Sequence, residues 1–69
     1  MKLSVLIYEG EDGYFVIECP SIPGCISQGR TREEAFRNIR DAIEACIAVR
    51  REMGLPIAVE TAELEVSIR

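Results

Sequence analysis

A proline–glycine corner followed by a helix start constrains the fold of this chain more than any other feature. Residues 20–24 read Pro-Ser-Ile-Pro-Gly. Proline has no backbone N–H and presets φ, and glycine supplies the positive φ that a type II turn needs. Further along, Thr31 is a good helix N-cap, and Glu34 completes a capping box. A strand must therefore end before the corner and a helix must begin at Thr31, which leaves room for one short strand between them.

Two strands are predicted before the corner. Residues 2–9 alternate between an apolar and a mixed face, and residues 14–19 are aromatic and β-branched. The polar loop 10–13 between them contains two glycines, so the two segments predict an antiparallel hairpin. Pro20 ends the second strand. After the corner, residues 25–28 predict a third strand that ends at Gly29.

A long amphipathic helix and a fourth strand complete the pattern. Gly54 is placed to end the helix, and Pro56 prevents it from resuming. Residues 63–69 then alternate, with Leu64, Val66 and Ile68 on one face, which predicts the last strand. The apolar residues of the helix follow helical spacing, and they are Ala35, Phe36, Ile39, Ala42, Ile43, Cys46, Ile47 and Val49.

The resulting order, β-β-β-α-β, predicts an α+β fold in a single domain over residues 1–69. If the fourth strand lies beside the first and parallel to it, a right-handed crossover gives the strand order 3-2-1-4. One helix then packs on a four-stranded mixed sheet, which is a partial ribonuclease-H-like arrangement. A ferredoxin-like topology is the alternative.

Size and charge limit the kinds of function that the chain can have. A 69-residue chain buries a modest share of its surface, so association with a partner is the expected source of added stability. The net charge is −4, and the excess of acid lies on the predicted strands. This distribution argues against direct nucleic-acid binding and suits a basic protein partner. No apolar run is long enough to span a membrane, and no signal-peptide pattern precedes the first strand, so we expect a cytoplasmic protein.

The side chains offer little catalytic chemistry. Cys19, Cys25 and Cys46 have no histidine to activate them, and we expect reduced, buried thiols, without zinc or another cofactor. A divalent-metal nuclease is the enzymatic rival, but it needs convergent carboxylates. Asp41 and Glu44 lie on a helix next to arginines, and the other acids sit at a flexible hairpin tip. The sequence therefore predicts a protein that is not an enzyme.

The second face of the sheet predicts self-association. Leu6, Tyr8, Tyr14 and Val16 alternate with the residues that should face the helix, so they should lie on the side that the helix does not cover. An exposed cluster of large apolar side chains often marks an interface. We predict a homo-oligomer, a dimer or tetramer, through Leu6, Tyr14 and Val16. The alternative is that these strands are central, or that the two faces are exchanged.

The central stretch resembles the HicB-like antitoxin family. The resemblance is carried by Asp12-Gly13, by Pro20-x-Ile22-Pro23-Gly24-Cys25, and by Thr31-x-Glu33-Glu34-Ala35 followed by Asn38-Ile39 and Ala42-Ile43. It implies a binding module that sequesters a small basic toxin, HicA, which cleaves mRNA, by covering its active site. Longer members carry a C-terminal DNA-binding domain, and no such domain is expected in residues 1–69.

The chemistry of the exposed residues suggests where such a toxin would bind. We predict contacts from Tyr8, Glu9, Glu11, Asp12 and Tyr14, because acidic side chains attract a basic partner and tyrosine is favoured at interface centres. The alternative function is an orphan homodimeric structural or regulatory module that uses its apolar sheet face on itself and has no toxin partner.

Overall fold

The protein is an α+β domain in which an antiparallel sheet packs against one face of a long helix. A computed structural model describes residues 2–60 and 62–68. The elements are β1 (Leu6–Glu9), β2 (Phe15–Glu18), β3 (Ile26–Gly29) and α1 (Arg32–Met53). The described residues form a three-stranded sheet in the order β1-β2-β3, with antiparallel neighbours. The α+β class and the order of the first four elements are confirmed.

The first strand is shorter than its alternation predicts. It begins at Leu6, which pairs with Glu18, the last residue of β2. Upstream of Leu6 the chain therefore runs past the end of β2, where the corner turns away and Pro20 has no N–H to donate. Leu3 and Val5 nevertheless pack against the core. The alternation correctly predicts the side-chain directions of this segment, although its backbone has no strand beside it among the described residues.

The fourth strand is not shown. Residues 62–68 form no helix or strand, and their side chains are exposed. The last place in the predicted order 3-2-1-4 is therefore not shown either. Alternation indicates that a segment can lie on a sheet, but a strand also needs a backbone partner, and the described residues place none beside this segment.

The helix begins where the sequence predicts. The Thr31 Oγ1 atom accepts a hydrogen bond from the Glu34 backbone N–H at 3.1 Å. The Glu34 Oε1 atom accepts from the backbone N–H of Arg30 at 3.0 Å, one residue earlier than in a standard capping box. The two bonds satisfy one backbone N–H on each side of Thr31, and they fix the direction in which the chain leaves β3.

The helix also ends at the predicted glycine. Gly54 has a φ of 70°, in the left-handed region. Its N–H donates to the Arg51 carbonyl at 3.3 Å, and the Leu55 N–H donates to the Arg50 carbonyl at 2.9 Å. This pair of bonds is a Schellman motif, which satisfies the last free carbonyls of the helix.

The core lies between the first half of the helix and the sheet. A 22-residue helix is about 33 Å long, whereas a four-residue strand spans about 13 Å. The second half of α1 therefore extends past the sheet, and Val49 in the predicted apolar stripe is exposed. The buried residues are Ile17, Cys19, Ile22, Cys25, Ala35 and Ile39.

Candidate partner-binding surface

One side of the sheet is not covered by the helix. In the antiparallel register Leu6 pairs with Glu18, and Tyr8 pairs with Val16. The same rows continue into β3, whose paired residues share a face with them. Ile17, in the middle of β2, is fully buried on the helix side, so its neighbours in sequence point the other way. We call this side the open face; it consists of Leu6, Tyr8, Val16, Glu18, Ile26 and Gln28.

The open face is markedly apolar for a surface. Leu6, Tyr8 and Ile26 are each more than half exposed. Leu6 and Val16, both predicted as oligomer contacts, lie on neighbouring strands of this face. Ile26 was not predicted to lie on this face. The sequence contains the signal, because side chains alternate along a strand and Ile26 follows the buried Cys25.

Tyr14 is held at the hairpin end of the open face. Its ring is half-buried, and its hydroxyl accepts a hydrogen bond from the Arg30 Nε–H at 3.3 Å. The Arg30 guanidinium lies 5.9 Å from the ring centroid, within the range of a cation–π contact. The phenol is therefore fixed beside a positive charge, and Tyr14 and Tyr8 are both available at this end of the sheet.

The hairpin tip is a tight polar turn. The Gly10 N–H donates to the Tyr14 carbonyl at 2.7 Å, and the Gly13 N–H donates to the Gly10 carbonyl at 3.2 Å. The Asp12 Oδ1 atom accepts from the Tyr14 N–H at 3.2 Å. Asp12 therefore stabilises the turn through its own side chain. Its carboxylate is also exposed, as is that of Glu11 beside it.

The five predicted partner contacts surround the hairpin but do not lie on one face of the sheet. Glu9 pairs with Phe15, which packs against the core, so Glu9 lies on the helix side of the sheet. Tyr8 and Tyr14 lie on the open-face side. Glu11 and Asp12 occupy the tip between the two sides. A partner that contacts all five residues must therefore enclose the end of the hairpin.

The three cysteines lie in or beside the core as free thiols. Cys19 and Cys25 are buried, Cys46 is half-buried, and all three thiols are free. Burial raises the pKa of the Cys25 thiol to about 11, and a hydrogen bond with Cys46 adds to the shift. The Cys25 thiol is therefore protonated at neutral pH, and a thiol is a far weaker nucleophile than a thiolate.

The described residues contain neither a metal-binding cluster nor a membrane-spanning helix. Across residues 2–60 and 62–68, no group of three or more histidine, cysteine or acidic side chains is placed to hold a metal ion. Over the same part of the chain, no helix has the length and apolar character needed to cross a membrane. Two surfaces of the described residues are candidates for binding: the open face and the acidic hairpin tip.

Comparison with known proteins identifies relatives over most of the chain. A family described as the HicB-like antitoxin of bacterial toxin–antitoxin systems matches residues 3–68. A UPF0150 protein of Thermoplasma acidophilum is 43% identical over 63 residues, which is 91% of each chain. A UPF0150 protein of Archaeoglobus fulgidus is 36% identical over 67 residues, covering 94% of this chain and 97% of the relative. No solved structure matches the chain.

Proposed function

This chain belongs to the HicB-like antitoxin family, and from that premise we propose that it sequesters a HicA-like, mRNA-cleaving toxin by covering its active site. Membership supports an antitoxin role in general and a binding module in place of an enzyme. The toxin's identity and the mode of inhibition are the parts that we propose.

The acidic hairpin tip is the observation that carries this proposal. Glu9, Glu11 and Asp12 are exposed within four residues of one another, and Tyr8 adjoins them. Such a cluster attracts a basic protein and raises the rate of encounter. Tyr8 and Tyr14 would then supply rigid, partly apolar contact area at the centre of the interface. The tip protrudes from the sheet, so a toxin with a concave active site could receive it.

We propose that copies of the chain also associate, as a dimer or tetramer, through the open face. Leu6 and Val16 would be buried between copies, with Tyr14 at the margin. Burial of each large apolar side chain stabilises an assembly by about 1.5–3 kcal/mol. The hairpin tip lies at one end of this face, so Glu11 and Asp12 stay accessible when Leu6 and Val16 are buried between copies. Tyr8, which pairs with Val16, lies at the boundary of the two interfaces.

The proposal also covers the cellular location and the kind of partner. An mRNA-cleaving toxin acts in the cytoplasm, and we place its antitoxin there. A net charge of −4 disfavours the phosphate contacts on which nucleic-acid binding depends. We therefore propose that it inhibits the toxin by protein contacts alone, without touching nucleic acid itself.

Co-purification followed by binding kinetics tests the function. We expect a small, basic, histidine-bearing protein to be recovered with the full-length chain at stoichiometric yield.

The double variant Glu9→Lys/Glu11→Lys should then slow association by about tenfold or more at low salt. Asp12 is left unchanged because it holds the turn. An equal charge change at Glu52→Lys/Glu60→Lys, away from the hairpin, is the control and should leave the association rate much closer to that of the parent.

An orphan homodimeric module is the second candidate, favoured by the large exposed side chains of the open face. It predicts that the chain is recovered alone, as a stable dimer, with no basic protein attached. It also predicts that disrupting the dimer at Leu6 or Tyr14 unfolds the protein outright. Under the antitoxin proposal the Leu6 variant keeps its affinity for the toxin, whereas the Tyr14 variant also loses a proposed toxin contact.

A further inference from the structure

The segment that leads into the outer strand β1 borders an apolar groove on the helix side of the sheet. We call it the β1-edge groove; its volume is about 450 Å³. Among the described residues no strand pairs with the outer edge of β1, since β1 pairs with β2 on its other side. An open edge with exposed backbone groups readily accepts a further strand. The groove is lined by Leu3, Val5, Phe36, Ile39 and Ile43, with Arg40 and Glu44 at its rim.

The C-terminal segment has the properties of the missing strand. In residues 63–68, which we call the tail, apolar and polar side chains alternate. Leu64, Val66 and Ile68 are 86%, 65% and 90% exposed. Such alternation is typical of a strand with one buried face, yet in the structure this face contacts solvent. Both halves of a strand pairing, a free edge with a groove and a strand with an apolar side, are therefore present and unused.

The tail leaves the domain on the side of the sheet away from this groove. The Val59 N–H donates to the Ser21 carbonyl at 2.7 Å, which anchors the chain at the corner between β2 and β3. Ala62 and Glu63 then border a hollow with Ser4 and Leu6. Because side chains alternate along a strand, Ser4 and Leu6 point away from Leu3 and Val5 in the groove. The path of the chain thus directs the tail outward, away from its own groove.

The exposed area exceeds that of a compact monomer. The accessible surface is 5744 Å², whereas a folded monomer of this mass is expected to expose about 4,300 Å². The excess of about 1,400 Å² is larger than the roughly 800 Å² that each partner buries in a standard interface. The radius of gyration is 13.8 Å, against about 11 Å for a compact chain of this length.

Charge is also matched between the groove and the tail. Arg40 lies at the rim, and the Arg32 guanidinium is 5.8 Å from the Phe36 ring centroid, beside the groove. Glu63 and Glu65 alternate with the apolar residues of the tail. A tail placed in the groove would bring these carboxylates near the arginines, although Glu44 on the same rim would oppose them. The groove therefore suits an acidic strand of this composition.

We propose that the tail of a second copy of this chain pairs with the outer edge of β1 and inserts Leu64, Val66 and Ile68 into the β1-edge groove. The exchange is reciprocal, so two tails and two grooves are used in one twofold dimer. The predicted order 3-2-1-4 is then completed between chains. This inference rests on the self-association part of the proposed function and is independent of the toxin.

Sedimentation and hydrogen exchange on the full-length protein test the proposal. We expect a dimer in which the backbone amides of residues 64–68 are protected from exchange. A dimer mixed from ¹⁵N-labelled and ¹³C-labelled copies should show intermolecular NOEs between the tail and residues 3–7. These contacts distinguish strand exchange from any dimer in which the tail remains free.

Two substitutions of equal charge test the role of the apolar side of the tail. Val66→Glu places a carboxylate in the groove twice per dimer, so we expect the dissociation constant to rise by about a hundredfold. Ser67→Glu adds the same charge on the opposite side of the strand, and the dissociation constant should change by less than about threefold. Circular dichroism checks that both variants keep the helix and sheet.

Three outcomes would overturn the proposal. A monomer with protected tail amides would mean that the tail pairs with β1 of its own chain. A dimer with unprotected tail amides would place self-association on the open face alone, which leaves the proposed function intact. Equal effects of Val66→Glu and Ser67→Glu would remove the groove from the interface. Failure to recover a toxin tests the proposed function separately, because strand exchange requires none.

Discussion

Gly29 and Ala35 bring the end of β3 into backbone contact with the first turn of the helix. A Cβ atom at Gly29 would lie 2.5 Å from the Ala35 backbone nitrogen and 2.8 Å from the Glu34 carbonyl carbon. Both are main-chain atoms that cannot rotate away. The absence of a side chain at position 29 is therefore what allows the chain to turn directly from the strand into Thr31 and α1.

Gly29→Ala should destabilise the protein markedly. The added methyl group has to push the helix start away from the sheet, which disturbs the buried Ala35, and overpacking of this kind costs about 1–3 kcal/mol. The free energy of unfolding, measured by urea denaturation, checks the prediction. Gly24→Asn is the control: a Cβ there meets open space, and asparagine is among the side chains that adopt a φ of 78° with the least strain. A loss at position 24 as large as that at position 29 would contradict the steric explanation.

Loss of the helix cap should have a separate and smaller cost. Thr31→Ala removes the acceptor of the Glu34 N–H, and loss of such a cap costs about 1 kcal/mol. Thr31→Ser retains the hydroxyl and should recover most of the stability. The comparison uses the same urea denaturation, and equal stability of the alanine and serine variants would mean that the hydrogen bond contributes nothing.

Local signals in the sequence predicted the parts of the fold that depend on local chemistry. The helix end at Gly54 and the strand end before Pro20 each follow from one residue's backbone preference, and the cap at Thr31 follows from its side-chain hydroxyl. Asn38, part of the family resemblance, also has a structural role: its Nδ2 atom donates to the Gln28 carbonyl at 2.8 Å and ties the helix to β3. Such signals need no knowledge of distant contacts, so a single sequence contains them.

Features that depend on a partner or on register could not be predicted in this way. The alternation of the tail predicted a strand, but only a neighbouring backbone can make it one, and residues 62–68 have none beside them in the structure. Alternation along β1 already separates Glu9 from Tyr8, but only the pairing of Glu9 with Phe15 shows that Glu9 is the one on the helix side. The predicted contacts at Tyr8, Glu9, Glu11, Asp12 and Tyr14 stay predictions for the same reason, since no partner is present.

The buried thiol of Cys25 should make stability fall at alkaline pH. Burial raises its pKa from 9.0 to about 11. Between these values the unfolded chain loses the Cys25 proton while the folded chain retains it, so the unfolded state binds fewer protons and ΔG of unfolding decreases as pH rises. The loss from this group approaches about 2–3 kcal/mol at pH 11 and is absent below about pH 8.

Urea denaturation at several pH values from 8 to 11 measures this loss. Cys25→Ala is the matched variant: it should be less stable at pH 8 because of the cavity, but its stability should decline less steeply above pH 9. The other ionisable groups are the same in both proteins, so the difference between the two slopes is the quantity to compare. Parallel slopes would show that Cys25 contributes nothing to the alkaline loss.

Ile26→Lys should separate folding from self-association on the open face. Ile26 is exposed in the single chain and lies across β2 from Leu6, with Glu18 between them. A lysine there can reach solvent and the Glu18 carboxylate, so we expect the free energy of unfolding of the monomer to change by less than about 0.5 kcal/mol. If copies pack through the open face, the same charge becomes buried between them, and the dimer should weaken by at least about tenfold.

Gln28→Lys, on the same strand and face but already polar, is the control for added charge. Sedimentation equilibrium of the three proteins gives the result, and an unchanged dimer in Ile26→Lys would move self-association from the open face to the β1-edge groove.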